Sequence, residues 1–349
     1  MDAKGINRAK TKGMLARTIT QRSESEIGGY FELDLADYGD PFPRPYLKFQ
    51  SARAALRALL TGSRFRECWV PAYVCNSVLE SIQAAGCTPR YYFLDYALRP
   101  VVSERIPEYA ALIYINYFGL SNPPLSELLL KLTLDQLIID NTQALFADDH
   151  CAFGAIYSPR KFAGLPDGGL LRTRSAHVQA PAVEDTHSMA RMVPLLMRMS
   201  GSAREGYQAF LEANRQLEDS TPLAMSRLSR RILRSIDMAQ LRARRRANFM
   251  RLAAAFNRVN RVYWHMEETT VPLCYPLLLD RRVTCIRKSL AQHDVFVPTY
   301  WEEARERVAG HEAEEWLLDH CLALPCDQRY SDRQMDHLID VVRRVLQGP

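Results

Sequence analysis

Ser158-Pro159-Arg160-Lys161-Phe162-Ala163-Gly164-Leu165-Pro166-Asp167-Gly168-Gly169 is the stretch on which the reading of this chain turns. It sets a lysine in a turn between an apolar strand and a glycine-rich segment. A lysine held there can approach a cofactor carbonyl and form a Schiff base. Earlier, the apolar run Leu137-Ile138-Ile139 ends in Asp140, followed by Asn141-Thr142-Gln143. A carboxylate at such a strand end can hold a pyridinium nitrogen protonated through a charge-assisted hydrogen bond. Those are the two electronic requirements of pyridoxal phosphate chemistry.

Outward from this pair, the chain from Tyr46 to Arg172 alternates between helical and strand-like segments. The spacing predicts a helix over Ser51–Leu60 with Ser51 as its N-cap. It predicts a strand over Cys68–Val70, a helix over Asn76–Ala85, and strands over Arg90–Leu94 and Ala110–Asn116. A helix over Leu125–Leu132 and a strand over Gln136–Ile139 follow. Such alternation with short connections predicts a largely parallel sheet covered by helices. The segment Ala176–Leu223 reads as mostly helical, and Arg227–Asn257 as one long Arg-rich helix without internal Gly or Pro. Beyond it the order is strand (Val271–Leu278), helix (Val283–Gln292), strands (Val295–Val297, Cys321–Leu324) and helix (Ser331–Leu346), a small α+β unit. The expected organisation is therefore an N-terminal arm (1–45), a large cofactor-binding domain (46–225), a connecting helix (226–257) and a small C-terminal domain (258–349).

Composition narrows the function classes. The chain has 349 residues, enough for one large α/β domain plus a smaller one. It has no apolar run long enough to cross a membrane, and the basic stretch Met1–Arg22 lacks the apolar core of a secretory signal. The eight cysteines form no C-x-x-C and mostly have apolar neighbours, as expected of buried thiols in a reducing cytoplasm. No zinc-ligand spacing, G-x-S-x-G or phosphate-binding P-loop occurs, so no metal is expected. The arginines between Arg227 and Arg251 read as a solvated helix face in preference to a nucleotide or nucleic-acid surface.

Ordered motifs run from one end of this pattern to the other. Ser51-Ala52-Arg53-Ala54-Ala55-Leu56, Val70-Pro71-Ala72-Tyr73, Ala85-Gly86-Cys87-Thr88-Pro89 and Leu94-Asp95 precede Asp140-x-x-Gln143. Lys161 with Asp167-Gly168-Gly169, and Leu324-Pro325 with Tyr330, complete the series. In this order they resemble the S-G-T-A-A-L, V-P-S-Y, A-G-x-x-P, D, D-x-x-Q, lysine with G-E-G-G, and L-P-x-x-x-x-Y elements of the StrS/DegT-type sugar aminotransferases. The resemblance implies the fold type I architecture of pyridoxal phosphate enzymes, with a large mostly parallel sheet and a small C-terminal α+β domain. It also implies a homodimer.

Carried over residue by residue, the resemblance makes Lys161 the catalytic amine and proton shuttle. Asp140 becomes the partner of the ring nitrogen, and Gln143 a contact of the phenolic oxygen or phosphate. Ser51, Ala52 and Arg53 would receive the phosphate at a helix start, where free N–H groups and the helix dipole favour an anion. Ser158 is a second phosphate candidate, although its spacing to Lys161 is shorter than is usual in the family. Ala52-Arg53 replaces the usual Gly-Thr, and Cys75 stands where an aromatic side chain stacks on the ring, leaving Tyr73 as the nearest aromatic. Asn116-Tyr117-Phe118-Gly119 occupies the place of an H-x-x-G element.

The implied activity is transfer of an amino group from an amino acid, glutamate for example, to a keto acceptor such as a nucleotide-linked keto-sugar. Ile27–Leu33 replaces the family's G-x-W/T-x-G turn, which leaves a small amino or keto compound, or a non-transaminating reaction, as the alternative. A catalytically silent binding subunit is the alternative of another class. The partners expected are small molecules and a second copy of the chain, with no nucleic acid and no membrane.

Overall fold

The computed structural model of the protein describes residues 27–347. The chain divides into two units, Met1–Leu35 and Ala36–Pro349. In the first, residues 27–35 carry no helix or strand, and the basic stretch Met1–Arg22 lies outside the described residues.

The second unit holds the apolar runs as strands: β1 (Leu47–Phe49), β2 (Glu67–Pro71), β3 (Thr88–Leu94), β4 (Pro100–Val101), β5 (Ala110–Ile115), β6 (Leu137–Asn141), β7 (Gly154–Tyr157) and β8 (Gly169–Thr173). They form one sheet in the order β1-β8-β7-β6-β5-β2-β3-β4. The neighbours from β3 to β7 run parallel, while β8, β1 and β4 pair antiparallel at the edges. β5, β6 and β7 are buried at every position, as continuous apolar strands covered on both faces must be. Their register sets Ile115 opposite Asp140, and Asp140 opposite Ile156. The carboxyl ends of three central strands are thus brought level, the usual place for a ligand in such sheets.

Helix α1 (Ala52–Thr61) begins where expected. The Ser51 hydroxyl accepts from the Ala54 N–H at 3.2 Å, and Ala54, Ala55, Leu56, Leu59 and Leu60 form the buried face. Helix α2 (Asn76–Ala84) follows β2 and packs against α1.

A second apolar cluster gathers around an antiparallel pair, β9 (Cys274–Leu278) and β10 (Cys321–Pro325). Phe249, Leu252 and Phe256 of the helix Met238–Phe256, Leu290 of Thr284–Gln292 and Met335 of Asp332–Gln347 pack into it.

Four expected elements differ. The segment Ala176–Leu223, expected to be mostly helical, is mostly turn and coil around three short helices, Ser188–Arg191, Val193–Ser200 and Tyr207–Arg215, with Gly201 ending the second and Gly206 starting the third. The Arg-rich helix is two helices, Arg227–Arg234 and Met238–Phe256, because the Asp237 carboxylate caps the second by accepting from the Gln240 N–H at 2.9 Å. Val295–Val297 is not a strand, since Val295 turns back to bond Leu290 O. The helix expected over Leu125–Leu132 spans only Leu125–Leu128. Most arginines of the long stretch face acids at the surface, including Arg230 with Glu184, Arg234 with Asp37, and Arg251 with Asp336. Arg245 is the contrast, only 2% exposed. Among the described residues, no helix is long and apolar enough to cross a membrane.

Candidate active site

The Lys161 stretch connects β7 to its antiparallel neighbour β8, so it lies at the same sheet end as Asp140. The lysine closes a single 3₁₀ turn, Pro159–Lys161, whose N-cap is Ser158. The Lys161 Nζ donates to Thr142 Oγ1 at 3.0 Å. Thr142 in turn gives its backbone N–H to Asp140 Oδ1 at 2.8 Å. One threonine therefore faces both groups singled out in the sequence. Asp140 is 4% exposed. Burial pushes its carboxyl above the usual range, while the Lys161 ammonium and the Thr142 hydrogen bonds pull it back. The expectation did not include Thr142. Its place two residues after an aspartate, where an Asx turn forms, was the available signal.

Gln143 is buried beside this pair in sequence, and its two amide atoms have different fates. Its Oε1 accepts from the Phe118 N–H at 2.7 Å, and its Nε2 is buried with no partner among the described residues. Phe118 reaches Gln143 through a left-handed turn, with φ of 59° there and 71° at Gly119. A Cβ at Gly119 would lie 2.8 Å from Gln143 O, so glycine is needed for this approach.

The expected phosphate end is assembled by Gly168-Gly169. The Gly168 N–H bonds Gln50 O, and a Cβ on Gly169 would lie 2.1 Å from the Ser51 carbonyl carbon. Only glycine lets the segment after Lys161 press against the start of α1. There the Ser51 hydroxyl is committed to its cap. Arg53 has a buried Nη1 with no hydrogen-bond partner and lines a cavity of about 630 Å³ with Cys75, Asn76, Ser77 and Ser220. Glu80, Glu218, Asp219 and Glu303 form part of the same wall. The first turn of α2 has no side-chain cap, and its N-cap Cys75 is 3.0 Å from Ser77 Oγ. Arg160 is held by Asn214 Oδ1 at 2.9 Å. Burial, with the charges of Arg191 and Arg53, brings its pKa down to about 10. Ser158 is 7% exposed, and its hydroxyl does not cap the turn it starts.

Tyr73 takes a different position. It is 1% exposed, stacked on Tyr117 at 5.8 Å and edge-on to Trp301 at 4.8 Å. Tyr117 Oη donates to Tyr73 O. The structure thus joins Lys161, Asp140 and Gln143 through one turn and brings Ser51, Ala52 and Arg53 to Gly168-Gly169, whereas Tyr73 packs in an aromatic cluster.

Solved structures share this arrangement of strands and helices. A DegT/DnrJ/EryC1/StrS aminotransferase from Brucella abortus aligns over 87% of this chain and 86% of its own, at 16% identity and a TM-score of 0.57. The sugar aminotransferase CalS13 from Micromonospora echinospora aligns over 89% of both chains at 13% identity, with a TM-score of 0.60. NtdA from Bacillus subtilis, solved with bound cofactor PMP, aligns over 87% of this chain and 74% of its own, at 14% identity and a TM-score of 0.59. The chain has the fold of the DegT/DnrJ/EryC1/StrS aminotransferases. No protein-family profile and no curated protein sequence matches it. Within this fold, type I of the pyridoxal phosphate enzymes, the identities show that the backbone plan persists where most side chains have changed.

Proposed function

We propose that the protein is a pyridoxal phosphate-dependent aminotransferase, with Lys161 as its catalytic residue. The observation that carries this reading is the Lys161–Thr142–Asp140 arrangement at the level carboxyl ends of β5, β6 and β7, in which Asp140 and Thr142 are buried and the lysine is exposed. The unpartnered Gln143 Nε2 beside it tests the fit. A buried amide donor without an acceptor is costly, and a ligand's phenolic oxygen would satisfy it. Lys161 would hold the cofactor's carbonyl carbon, Asp140 its ring nitrogen and Gln143 its phenolic oxygen. The N–H groups at the start of α1, with the Arg53 guanidinium and Ser158, would hold its phosphate. When bound, the cofactor supplies a carbonyl that accepts amines and a ring that takes up the electron pair left by a departing proton.

The chain's own residues do the rest. Lys161 Nζ, once free, would take a proton from the substrate carbon and return it two atoms along, to the carbon on the other side of the shared nitrogen, and Thr142 Oγ1 would orient that amine. Asp140 keeps the ring nitrogen protonated, and Thr142 fixes the carboxylate that does so. Burial of Asp140 strengthens that contact by excluding water.

The donor in this reading is glutamate and the acceptor a nucleotide-linked keto-sugar; the likeness to the sugar aminotransferase CalS13 supports the sugar alone. Assembly as a homodimer fits the exposed Met189, Val193, Leu196, Met199, Tyr207 and Phe210 on neighbouring helices. A cytoplasmic setting fits eight free cysteines. The purified protein given cofactor should turn yellow, with a band at roughly 410–430 nm. Lys161→Ala should abolish the band, and glutamate should bleach it while 2-oxoglutarate appears. A protein that stays colourless contradicts the enzyme reading. Bleaching without a keto-acid product favours a non-transaminating reaction.

A further inference from the structure

Arg245 is a buried cation without an ion pair among the described residues, in a helix where Arg244 and Arg251 face acids at the surface. Its donors go to neutral acceptors. Nε donates to Gln328 Oε1 at 2.9 Å, Nη1 to Pro272 O at 3.2 Å and Leu273 O at 3.1 Å, and Nη2 to Phe162 O at 3.4 Å. The guanidinium also lies over the Phe162 ring, 4.5 Å from its centroid. Burying a charge with only carbonyls as hydrogen-bond acceptors is expensive, and the Asp327 carboxylate acts on it only at a distance. Helix packing does not require it, because a neutral side chain would fill the space. What only arginine offers is a planar fork of five donors that reaches two separate backbone segments and the side chain of a third, Gln328, at once.

Those segments converge on the site. Phe162 follows Lys161 directly, and its carbonyl takes a second bond from Gln328 Nε2 at 2.7 Å. Leu273, held by Nη1, gives its own N–H to Phe118 O at 2.8 Å. Phe118, in its left-handed turn, gives its N–H to Gln143 Oε1. A continuous path therefore runs from the lysine's turn through Arg245 to the side chain of Gln143. We propose that Arg245 is a positioning residue, whose fork holds the Lys161 turn and the Gln143 amide in one frame and so sets the lysine and the free Gln143 Nε2 relative to each other. What the frame serves rests on the cofactor reading above, but its existence does not.

The test is amide hydrogen exchange on the cofactor-free full chain, comparing wild type with Arg245→Met, Gln328→Ala and the surface control Arg251→Met. In Arg245→Met, exchange should rise about tenfold or more in 116–120, 158–165 and 271–275, with distant core strands unchanged. Gln328→Ala, which keeps the guanidinium, should loosen 158–165 and leave 116–120 as it was. This second variant carries the test if Arg245→Met does not fold. Arg251→Met should change none of the three segments. Unchanged exchange at 116–120 in Arg245→Met, uniform loosening of the whole chain, or loss at 116–120 in Gln328→Ala would overturn the frame. Pyridoxal phosphate uptake is read separately by the visible band, and Arg245→Met should weaken it about tenfold. If the variants show the exchange pattern but wild type takes up no cofactor, the frame stands and the cofactor reading is refuted.

Discussion

The two ends of the candidate site are built differently. At the lysine end, three central strands finish level, and their backbone register alone places Asp140 and the Thr142–Gln143 turn beside Lys161. At the helix end, the glycines bring the right backbone segments together, but the side chains there are unusual. Ser51 is occupied as a cap, Arg53 carries an unpartnered donor, and Cys75 opens α2 without capping it. Groups placed by strand register keep their positions while surrounding residues change. Groups supplied by single side chains at a helix start can be exchanged, one donor for another. At 13–16% identity to the solved structures compared above, it is the fold that this chain shares with them.

Breaking the lysine end should have the larger effect. Asp140→Asn is expected to lower the transamination rate about a thousandfold or more while leaving some cofactor binding, measured by stopped-flow bleaching with glutamate. The same change should stabilise the cofactor-free protein at neutral pH. Because burial raises the Asp140 pKa, the native state holds that proton more tightly than the unfolded chain does. The stability it contributes is present in acid and is lost as pH rises through the raised value. Asp140→Asn should remove that slope and raise the neutral-pH Tm by about 2–4 °C. A variant less stable than wild type at neutral pH would contradict the electrostatic account of this end.

How much of this was legible depended on what fixes each feature. Asp140, Lys161 and Ser51 stand at the edges of apolar runs or at a cap position, so periodicity and local chemistry marked them. Thr142 was legible only as an Asx-turn residue after Asp140, its bond from Lys161 being visible only in the fold, and Arg245 was not legible, because its partners come from distant segments. The interruption at Ser235–Asp237 had one signal, the capping aspartate, which a helix search based on the absence of Gly and Pro passes over. Val295–Val297 was too short a run for periodicity to distinguish a strand from a turn. The expectation that Tyr73 meets a cofactor ring came from its type and position in a motif, and its packing against Tyr117 and Trp301 became visible only in the structure.

The rebuilt end offers a smaller and more selective effect. Arg53→Met should weaken pyridoxal phosphate binding about tenfold and leave pyridoxal, which lacks the phosphate, unaffected. Equal loss for both would mean that Arg53 does not face the anion. Smallest is Ser51→Ala, which removes a helix cap. It should cost about 1 kcal/mol of stability in urea unfolding, with little change in cofactor affinity. A large loss of affinity at unchanged stability would show that the Ser51 hydroxyl serves the ligand instead of α1.

The central claim is that Lys161 is the amine that meets the cofactor. Mixing the protein with pyridoxal phosphate, reducing with borohydride and mapping the peptides tests it directly. The account predicts a single stable tag on Lys161, within Ser158–Gly169. A tag spread over other lysines, or absent from Lys161 in folded protein, would contradict it.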